Sequence, residues 1–321
     1  MKKIAIFNVG GALSSYAEFD DKKILIDLGK SSDFSPVDNF LIPFTKVGKF
    51  KMGDRPEIKD KYVVDQLFLS HLDKDHISDY DRFRKYFYSI YMTCPNDNET
   101  QYDEFKINRD LIASEYDARN VVLEDMKGRS TKVENNYNMS MSNPLVSTID
   151  QISLFYIKPS VCELEKNLIN SYANNVSLVL FIQVNDKTLL LPGDILKEGM
   201  MYLINSNRNF NTLLSSNGID YLVAPHHGLE TAFSEYLFRT INGNKTRLNI
   251  ISEKVREEEN DENRSDVDSR YYSSNYSTGE NAIAQYAVKT SKGHIVIDFE
   301  TDDTDVKQYS DIQAVIKEFY N

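Results

Sequence analysis

Residues 70–76 read Ser-His-Leu-Asp-Lys-Asp-His, and they follow directly on an apolar run at 63–69. The run has the length and composition of a buried strand, so two histidines and two aspartates come where a strand ends in a loop. Imidazoles and carboxylates are common ligands of divalent metal ions, and a strand end supports them rigidly. This stretch therefore predicts a metal site built on strand ends.

Two later strand ends carry the same kinds of side chain. Residues 189–194 read Leu-Leu-Leu-Pro-Gly-Asp and end in Asp194. Residues 221–228 read Tyr-Leu-Val-Ala-Pro-His-His-Gly and supply His226 and His227. A lone His-x-Asp pair in a loop is usually a solvent-exposed pair that binds no metal, but three matching strand ends favour one shared site.

Short apolar segments alternate with a few helical segments along the chain, in two halves that each supply candidate ligands. This pattern predicts a layered α/β domain built around two sheets. Helices are expected at 80–91, where Phe83, Phe87 and Tyr91 are spaced by four, after Asp194, and at the C-terminus. Residues 30–61 read as loop-rich. The predicted strands are 3–9, about 16–19, 23–27, 63–69, 152–157, 177–184, 188–191, 219–224, 248–252 and 294–299.

One domain is expected over residues 1–321, with two irregular parts. The polar, mixed stretch at about 92–150 reads as an insertion that covers the core. Seven acidic residues between 256 and 268 predict a solvated, mobile loop at about 255–270.

The composition is that of an ordinary globular protein, with 41% hydrophobic and 27% charged residues in 321. The formal charge of −12 gives no general attraction for nucleic acid. No apolar run approaches the roughly 18 residues that span a bilayer, so no membrane partner is expected. The N-terminal segment reads as a first strand and not as a signal peptide, because Asn8 and Gly10-Gly11 interrupt it, and a cytoplasmic location is predicted. Cys94 and Cys162 are expected to be buried thiols, although the sequence leaves a disulfide open.

With these motifs the chain resembles the metallo-β-lactamase superfamily. The family's His-x-His-x-Asp-His signature corresponds to residues 71–76, and Gly193-Asp194 matches the family's metal-bridging aspartate. Pro225-His226-His227-Gly228 is most similar to the hydrolase domain of the bacterial competence protein ComEC, as are residues 174–180 and 6–10. The resemblance runs in order from 4 to about 299, and it implies an αββα sandwich of two mixed sheets flanked by helices.

The match departs from the family at one position of the signature. Asp73 stands where the family has its middle histidine, and the chain has no histidine between 77 and 225. In the family, one metal takes three histidines, two from the signature and one from that interval. Only His71, Asp73 and Asp194 remain for that metal, so the resemblance implies one well-formed site and leaves a second, oxygen-rich one open.

The well-formed site is implied to use Asp75, His76, Asp194 and one of the two adjacent histidines. Neighbouring residues on an extended segment point in opposite directions, so one of the two is expected to reach the metal. We assign His226 to the metal and give His227 a supporting role or a contact to substrate oxygen. Carboxylate in place of imidazole shifts preference toward harder ions, and manganese or zinc is predicted.

Further residues have weaker signals. The resemblance places Asp27 beneath the site, where it would orient a ligand histidine, and a simple turn acid before Gly29 is the alternative. Asn175 and Ser177 are candidates for holding a phosphate or water, although an Asn before a strand is often only a turn residue. His294 reads as an edge-strand histidine and not a ligand.

The metal would activate water for hydrolysis, with Asp73 or Asp194 orienting or deprotonating it. The predicted catalytic residues are Asp73, Asp75, Asp194 and His227. The resemblance implies a phosphodiesterase acting on nucleic acid or a nucleotide, and the acidic charge favours single strands, short oligonucleotides or cyclic nucleotides. Hydrolysis of an ester, thioester or lactam, and a metal-stabilised regulatory subunit without turnover, remain alternatives. A protein partner or a homo-oligomer stays open.

Overall fold

Two seven-stranded sheets form the centre of the protein in a computed structural model that describes residues 1–54, 56, 58–94, 145–146, 149–253, 267–281, 283, 285–301 and 305–320. In chain order the strands are β1 (Lys2–Ile6), β2 (Ser14–Phe19), β3 (Lys22–Leu28), β4 (Tyr62–Phe68), β5 (Phe87–Thr93), β6 (Leu145–Val146), β7 (Ile152–Phe155), β8 (Val179–Val184), β9 (Lys187–Leu191), β10 (Tyr221–Val223), β11 (Leu248–Ile251), β12 (Ala287–Lys289), β13 (His294–Asp298) and β14 (Val306–Tyr309).

Both sheets are mixed. The first has the order β14-β13-β1-β2-β3-β4-β5, and the second has β12-β11-β10-β9-β8-β7-β6. Strands β3, β4 and β5 run parallel to one another, as do β9 to β12, and the other neighbouring pairs are antiparallel. The two sheets are flanked by helices, so the predicted αββα sandwich is confirmed.

Alternating side chains along the strands fill two kinds of core. On β9, Leu189 and Leu191 join the core between the sheets, whereas Leu190 joins the core under the helices. On β1, Ile4 and Ile6 face the other sheet and Ala5 faces outward. Successive residues of a strand point to opposite faces, so strands that are apolar at every position fit a sheet covered on both sides.

Short helices cover the outer faces of the sheets. Aromatic and aliphatic residues such as Phe44, Phe83 and Ile316 pack on the first sheet, and Met200, Leu203 and Phe238 pack on the second. The α-helices are α1 (Ile42–Lys46), α2 (Lys74–Ile77), α3 (Tyr80–Tyr86), α4 (Pro159–Leu164), α5 (Lys166–Ile169), α6 (Tyr172–Asn175), α7 (Lys197–Ser206), α8 (Arg208–Asn217), α9 (Glu235–Thr240) and α10 (Ile312–Glu318).

The parallel strands bring the candidate ligands to one edge of the sandwich. Strands β3 and β4 are in register at Ile26 and Phe68, and β9 and β10 are in register at Leu190 and Leu222, so in each sheet the carboxyl ends of two strands lie side by side. A backbone hydrogen bond of 2.7 Å from the Leu178 amide to the carbonyl of Ser70 joins the two sheets at this edge.

The predicted helix at 80–91 was wrong in its second half. Helix α3 ends at Tyr86, and Phe87 begins strand β5, which pairs in parallel with β4. The four-residue spacing of Phe83, Phe87 and Tyr91 suggested one helical face, yet Tyr91 is exposed. Aromatic residues also suit strands, and pairing with β4 decided between the two structures.

Several further elements were not predicted from the sequence. Residues 30–61 were predicted to be loop-rich, but a π-helical turn at Val37–Leu41 continues into α1, and the two together bury four aromatic or aliphatic side chains, which are Val37, Phe40, Leu41 and Phe44. Helices α4 to α6 and strand β14 were not predicted. Each of them is six residues or shorter and carries little periodicity of its own.

Two predicted features lie mainly outside the described residues: the insertion at about 92–150 and the acidic loop at about 255–270. Cys94 and Cys162 are both buried. Within the described parts of the chain, no helix combines the length and apolar character needed to cross a membrane.

Candidate metal centre

The first loop at the site begins where β4 ends. Residues 70–73 form an irregular segment that ends in an extended Asp73, and helix α2 then starts at Lys74, with the His76 amide donating to the carbonyl of Asp73 at 2.9 Å. The Asp75 carbonyl accepts from the Leu13 amide at 3.2 Å and lies against Gly29, where a β-carbon would collide with it. This contact fixes the loop against the first sheet.

The second loop begins where β9 ends, and Gly193 allows its turn. Gly193 has a φ of +59°, and a β-carbon there would come within 2.9 Å of the side chains of Ser177 and Ser70. The Asp194 amide donates to Ser177 Oγ at 3.1 Å, and the Leu196 amide donates to Asn175 Oδ1 at 3.2 Å. Ser177 and Asn175 are both buried, and they hold the turn that presents Asp194.

The third loop follows β10. An extended backbone was expected here from the sequence, but the backbone is left-handed. His226 and His227 have φ values of +48° and +58°, and Gly228 continues the left-handed turn at +80°. Each left-handed residue other than glycine costs roughly 1–3 kcal/mol, so two in succession need compensation from their surroundings. Because of this turn, the Nε2 atoms of both histidines come near the same oxygen, Asp194 Oδ2, at 3.9 and 3.7 Å.

Four side chains from the three loops form one compact group. Asp75, His76, Asp194 and His227 each offer one ligand atom, and these atoms all lie within 4.8 Å of one another. His227 Nε2 is 3.0 Å from Asp75 Oδ2, and His76 Nε2 is 3.2 Å from Asp194 Oδ1. This group contains His227, whereas the sequence analysis assigned His226 to the metal.

A second, looser set lies beside the first and shares Asp194. His71 Nε2 is 3.4 Å from Asp73 Oδ2 and 3.8 Å from Asp194 Oδ2. His226 Nε2 approaches that same Asp194 oxygen. The two oxygens of Asp194 therefore face different histidines, Oδ1 toward His76 and Oδ2 toward the other three.

The donor atoms of the site fit a cation. Among the described residues, His71 Nε2 and His76 Nε2 are buried side-chain atoms without a hydrogen-bond partner, and both face Asp194. A buried polar atom without a partner normally carries a penalty of about 1–3 kcal/mol. Imidazole nitrogens beside carboxylate oxygens are donors that suit zinc and manganese, and divalent ions bound beside Asp194 would satisfy these atoms.

Asp27 supports the site from below. It is fully buried at the end of β3 with a φ of +56°. Its Oδ2 lies 2.9 Å from His76 Nδ1, and its Oδ1 accepts from the Ser70 amide at 2.7 Å. A carboxylate on the far nitrogen of an imidazole fixes the ring and its tautomer, so Asp27 has the orienting contact rather than the role of a simple turn acid.

When no cation is present, the carboxylates of the group favour the protonated forms of His76 and His227. Burial lowers the pKa of His76, but the carboxylates of Asp194 and Asp27 outweigh it and raise that pKa well above the usual value. Burial opposes ionisation of Asp194, yet His76 and His227 hold the pKa of its carboxyl well below the usual range. The pKa of His227 is also raised, because Asp194 and Asp75 outweigh burial. An entering cation displaces these protons.

Three further predicted residues have their polar contacts outside the group of candidate ligands. Asn175 and Ser177 use their polar atoms to support the Asp194 loop, as described above. His294 is not on an edge strand, since β13 lies between β1 and β14. Its Nδ1 accepts from the Asn8 amide at 3.1 Å, its ring packs on Phe7 and Phe34, and burial lowers its pKa to about 4.

Ser70 is a site residue to which the sequence analysis gave no role. Its Oγ contacts three groups of the site, which are Asp27 Oδ2, His71 Nδ1 and His76 Nδ1. The available signal was its position between the end of the strand and the first histidine.

No protein-family model and no curated protein matches the chain. Among solved structures, the chain is similar to metallo-β-lactamase-fold proteins. The metallo-β-lactamase fold protein YhfI from Bacillus subtilis has a TM-score of 0.37 and 12% identity over 79% of this chain and 86% of its own. Igni18, a metallo hydrolase from the archaeon Ignicoccus hospitalis, has a TM-score of 0.37 and 11% identity over 78% and 82%. The short form of human tRNase Z has a TM-score of 0.28 and 11% identity over 69% and 77%. Since these TM-scores are below 0.5, the fold assignment rests on the strand order and layers described above.

Proposed function

We propose that the chain is a metal-dependent hydrolase whose cation is held by Asp75, His76, Asp194 and His227. The observation that carries the proposal is the meeting of these four side chains, with ligand atoms within 4.8 Å of one another. They come from three loops that are far apart in sequence, and a fully buried carboxylate orients one of the imidazoles. Such support is typical of a site in which ligand geometry matters.

A second cation position is proposed beside the first, with His71, Asp73 and Asp194 as its ligands. This set has one imidazole and two carboxylates, so it is richer in oxygen than the first. Oxygen donors favour harder ions, and we therefore propose manganese or zinc for the first position and manganese for the second.

The residues of the site have separable roles in hydrolysis. A bound divalent cation supplies a Lewis acid that activates water near neutral pH and offsets negative charge in the transition state. Asp73, whose side chain is 31% exposed, can accept a proton from water that enters from solvent. The carboxylates of Asp194 and Asp75 would balance the charge of the cation, and we propose that His226, which is partly exposed, contacts a substrate oxygen.

A phosphodiester is the proposed substrate. Two neighbouring cation positions that share a carboxylate suit phosphodiester cleavage, because one cation can stabilise the attacking oxygen and the other the leaving oxygen. The formal charge of −12 disfavours long duplexes, which depend on many Lys and Arg contacts. We therefore propose single strands, short oligonucleotides or nucleotides.

The test is hydrolysis of bis(p-nitrophenyl) phosphate by protein loaded with manganese. Asp194→Asn keeps the shape of the side chain and removes its charge, and it should lower kcat/KM at least about a hundredfold. The control is Asp186→Asn, the same change on the exposed turn at the other end of β9, about 16 Å away by strand rise. This control should retain full activity.

Other outcomes would point to the alternatives. Turnover of p-nitrophenyl acetate but not of the phosphodiester would contradict the proposed substrate and support an ester hydrolase. Retention of one or more metal ions without turnover of any of these substrates would contradict the hydrolase and support a metal-stabilised binding protein.

A further inference from the structure

We propose that Ser70 is the shared positioning residue of both cation positions, because its single hydroxyl fixes the rings of His71 and His76 together. The inference rests on the proposed metal centre and extends it to a residue that is not itself a ligand. Ser70 Oγ lies 2.8 Å from Asp27 Oδ2, 3.1 Å from His71 Nδ1 and 3.0 Å from His76 Nδ1. All four residues are buried, with exposures between 0% and 2%.

Counting donors and acceptors determines where the hydrogens lie. A carboxylate only accepts, so the one hydrogen of the Ser70 hydroxyl is donated to Asp27 Oδ2. The two lone pairs of Ser70 Oγ then remain for the two imidazoles. Each imidazole must therefore donate from Nδ1, and both rings carry a hydrogen on that atom.

This arrangement leaves Nε2 of both rings directed at the cation positions. Both Nε2 atoms are buried and lack hydrogen-bond partners within the described residues. His76 Nε2 faces Asp194 Oδ1 at 3.2 Å, and His71 Nε2 faces Asp194 Oδ2 at 3.8 Å. A nitrogen lone pair beside a carboxylate oxygen is repulsive unless a proton or a cation lies between them. Ser70 thus orients His71 as a ligand, although Asp73 stands at the position where the family signature has its middle histidine.

The two histidines depend on Ser70 to different degrees. His76 Nδ1 also lies 2.9 Å from Asp27 Oδ2, so it keeps an acceptor when the hydroxyl is removed. The acceptor described for His71 Nδ1 is Ser70 Oγ. Loss of the hydroxyl should therefore release the His71 ring and leave the His76 ring in place, which is an asymmetry that a general loss of stability would not produce.

The experiment compares Ser70→Ala with Ser14→Ala in the full chain. Ser14 is equally buried, and its hydroxyl donates to the backbone carbonyl of Asp27 at 3.2 Å without touching the carboxylate or a histidine. Calorimetric titration with Mn²⁺ should show the second binding step, which uses His71, weakened roughly 10- to 100-fold in Ser70→Ala and changed less than about twofold in Ser14→Ala. Equal affinities in the two variants would overturn the inference.

Nitrogen-15 NMR of the imidazole rings in the zinc-loaded protein supplies a second readout. The wild type should show a hydrogen on Nδ1 of both His71 and His76, and Ser70→Ala should lose the His71 Nδ1–H signal to solvent exchange while retaining that of His76. If Ser70→Ala does not fold, the wild-type spectrum still decides, because a hydrogen on Nε2 of His71 would overturn the inference. A wild type that binds no Zn²⁺ would instead overturn the proposed metal centre itself.

Discussion

Replacement of Gly193 by alanine tests how tightly the Asp194 loop is built. Gly193 has a φ of +59°, and its new β-carbon would lie 2.9 Å from the β-carbons of both Ser177 and Ser70. A left-handed alanine costs roughly 1–2 kcal/mol, and forcing a methyl group into a packed position costs about 1–3 kcal/mol more. We expect Gly193→Ala to lower the free energy of unfolding by about 2–5 kcal/mol, the sum of these two terms.

Gly48 provides the matched control. It has a φ of +74°, but a β-carbon there meets no atom within 4 Å. Gly48→Ala should therefore lose only the backbone part, roughly 1–2 kcal/mol. Urea unfolding of both variants in chelator measures the difference. Equal losses would refute the reasoning that Ser70 and Ser177 enclose this turn.

Metal affinity gives the same comparison a functional readout. The carbonyl of Gly193 accepts from the His226 amide at 3.2 Å, and Asp194 is the next residue. A shift of this turn moves a ligand shared by both proposed cation positions. Zn²⁺ affinity should fall in Gly193→Ala and remain unchanged in Gly48→Ala.

Three further outcomes follow from the same geometry. In chelator, the free energy of unfolding should fall as pH rises above about 6.5, because the pKa of His76 is raised in the folded state and its stabilising proton is lost as pH increases. Urea midpoints between about pH 6 and 9 should show this decline. A decline of the same size with saturating Zn²⁺ would contradict it. His227→Asn should weaken the first Zn²⁺ binding step at least about a hundredfold, whereas His226→Asn should spare that step; the reverse order in a calorimetric titration would show that the ligand assignment is wrong. His294→Phe leaves the Asn8 amide without its acceptor and should cost about 1–3 kcal/mol of stability, while a change in Zn²⁺ affinity would argue against the separation of this histidine from the site.

The layers of the fold could be predicted because strand patterning is local. Strands such as β3, β9 and β13 each contain three consecutive apolar residues and are bounded by turn residues, so their positions along the chain follow from the sequence. The helix at 80–86 and strand β5 could not be separated, because the aromatic residues that join them suit both structures. The π-helical turn at 37–41 and helix α1 were missed since their aromatic residues find their burial only in the assembled first core.

The site was predictable in its composition and less so in its geometry. Strand ends identified Asp75, His76 and Asp194, because parallel strands deliver side chains to one edge. The choice between His226 and His227 depended on an extended backbone, whereas two successive left-handed residues bring both rings toward Asp194. Neither the left-handed turn nor the three contacts of the Ser70 hydroxyl follows from local sequence, since both depend on loops from different strands.

The central claim is that one cation is held between Asp75, His76, Asp194 and His227. Anomalous diffraction at the zinc edge from crystals loaded with Zn²⁺ tests this claim most directly. The account predicts a peak at about 2.0–2.2 Å from one nitrogen or oxygen atom of each of these four side chains. No peak there in crystals saturated with zinc, or a peak coordinated by other residues, would contradict it.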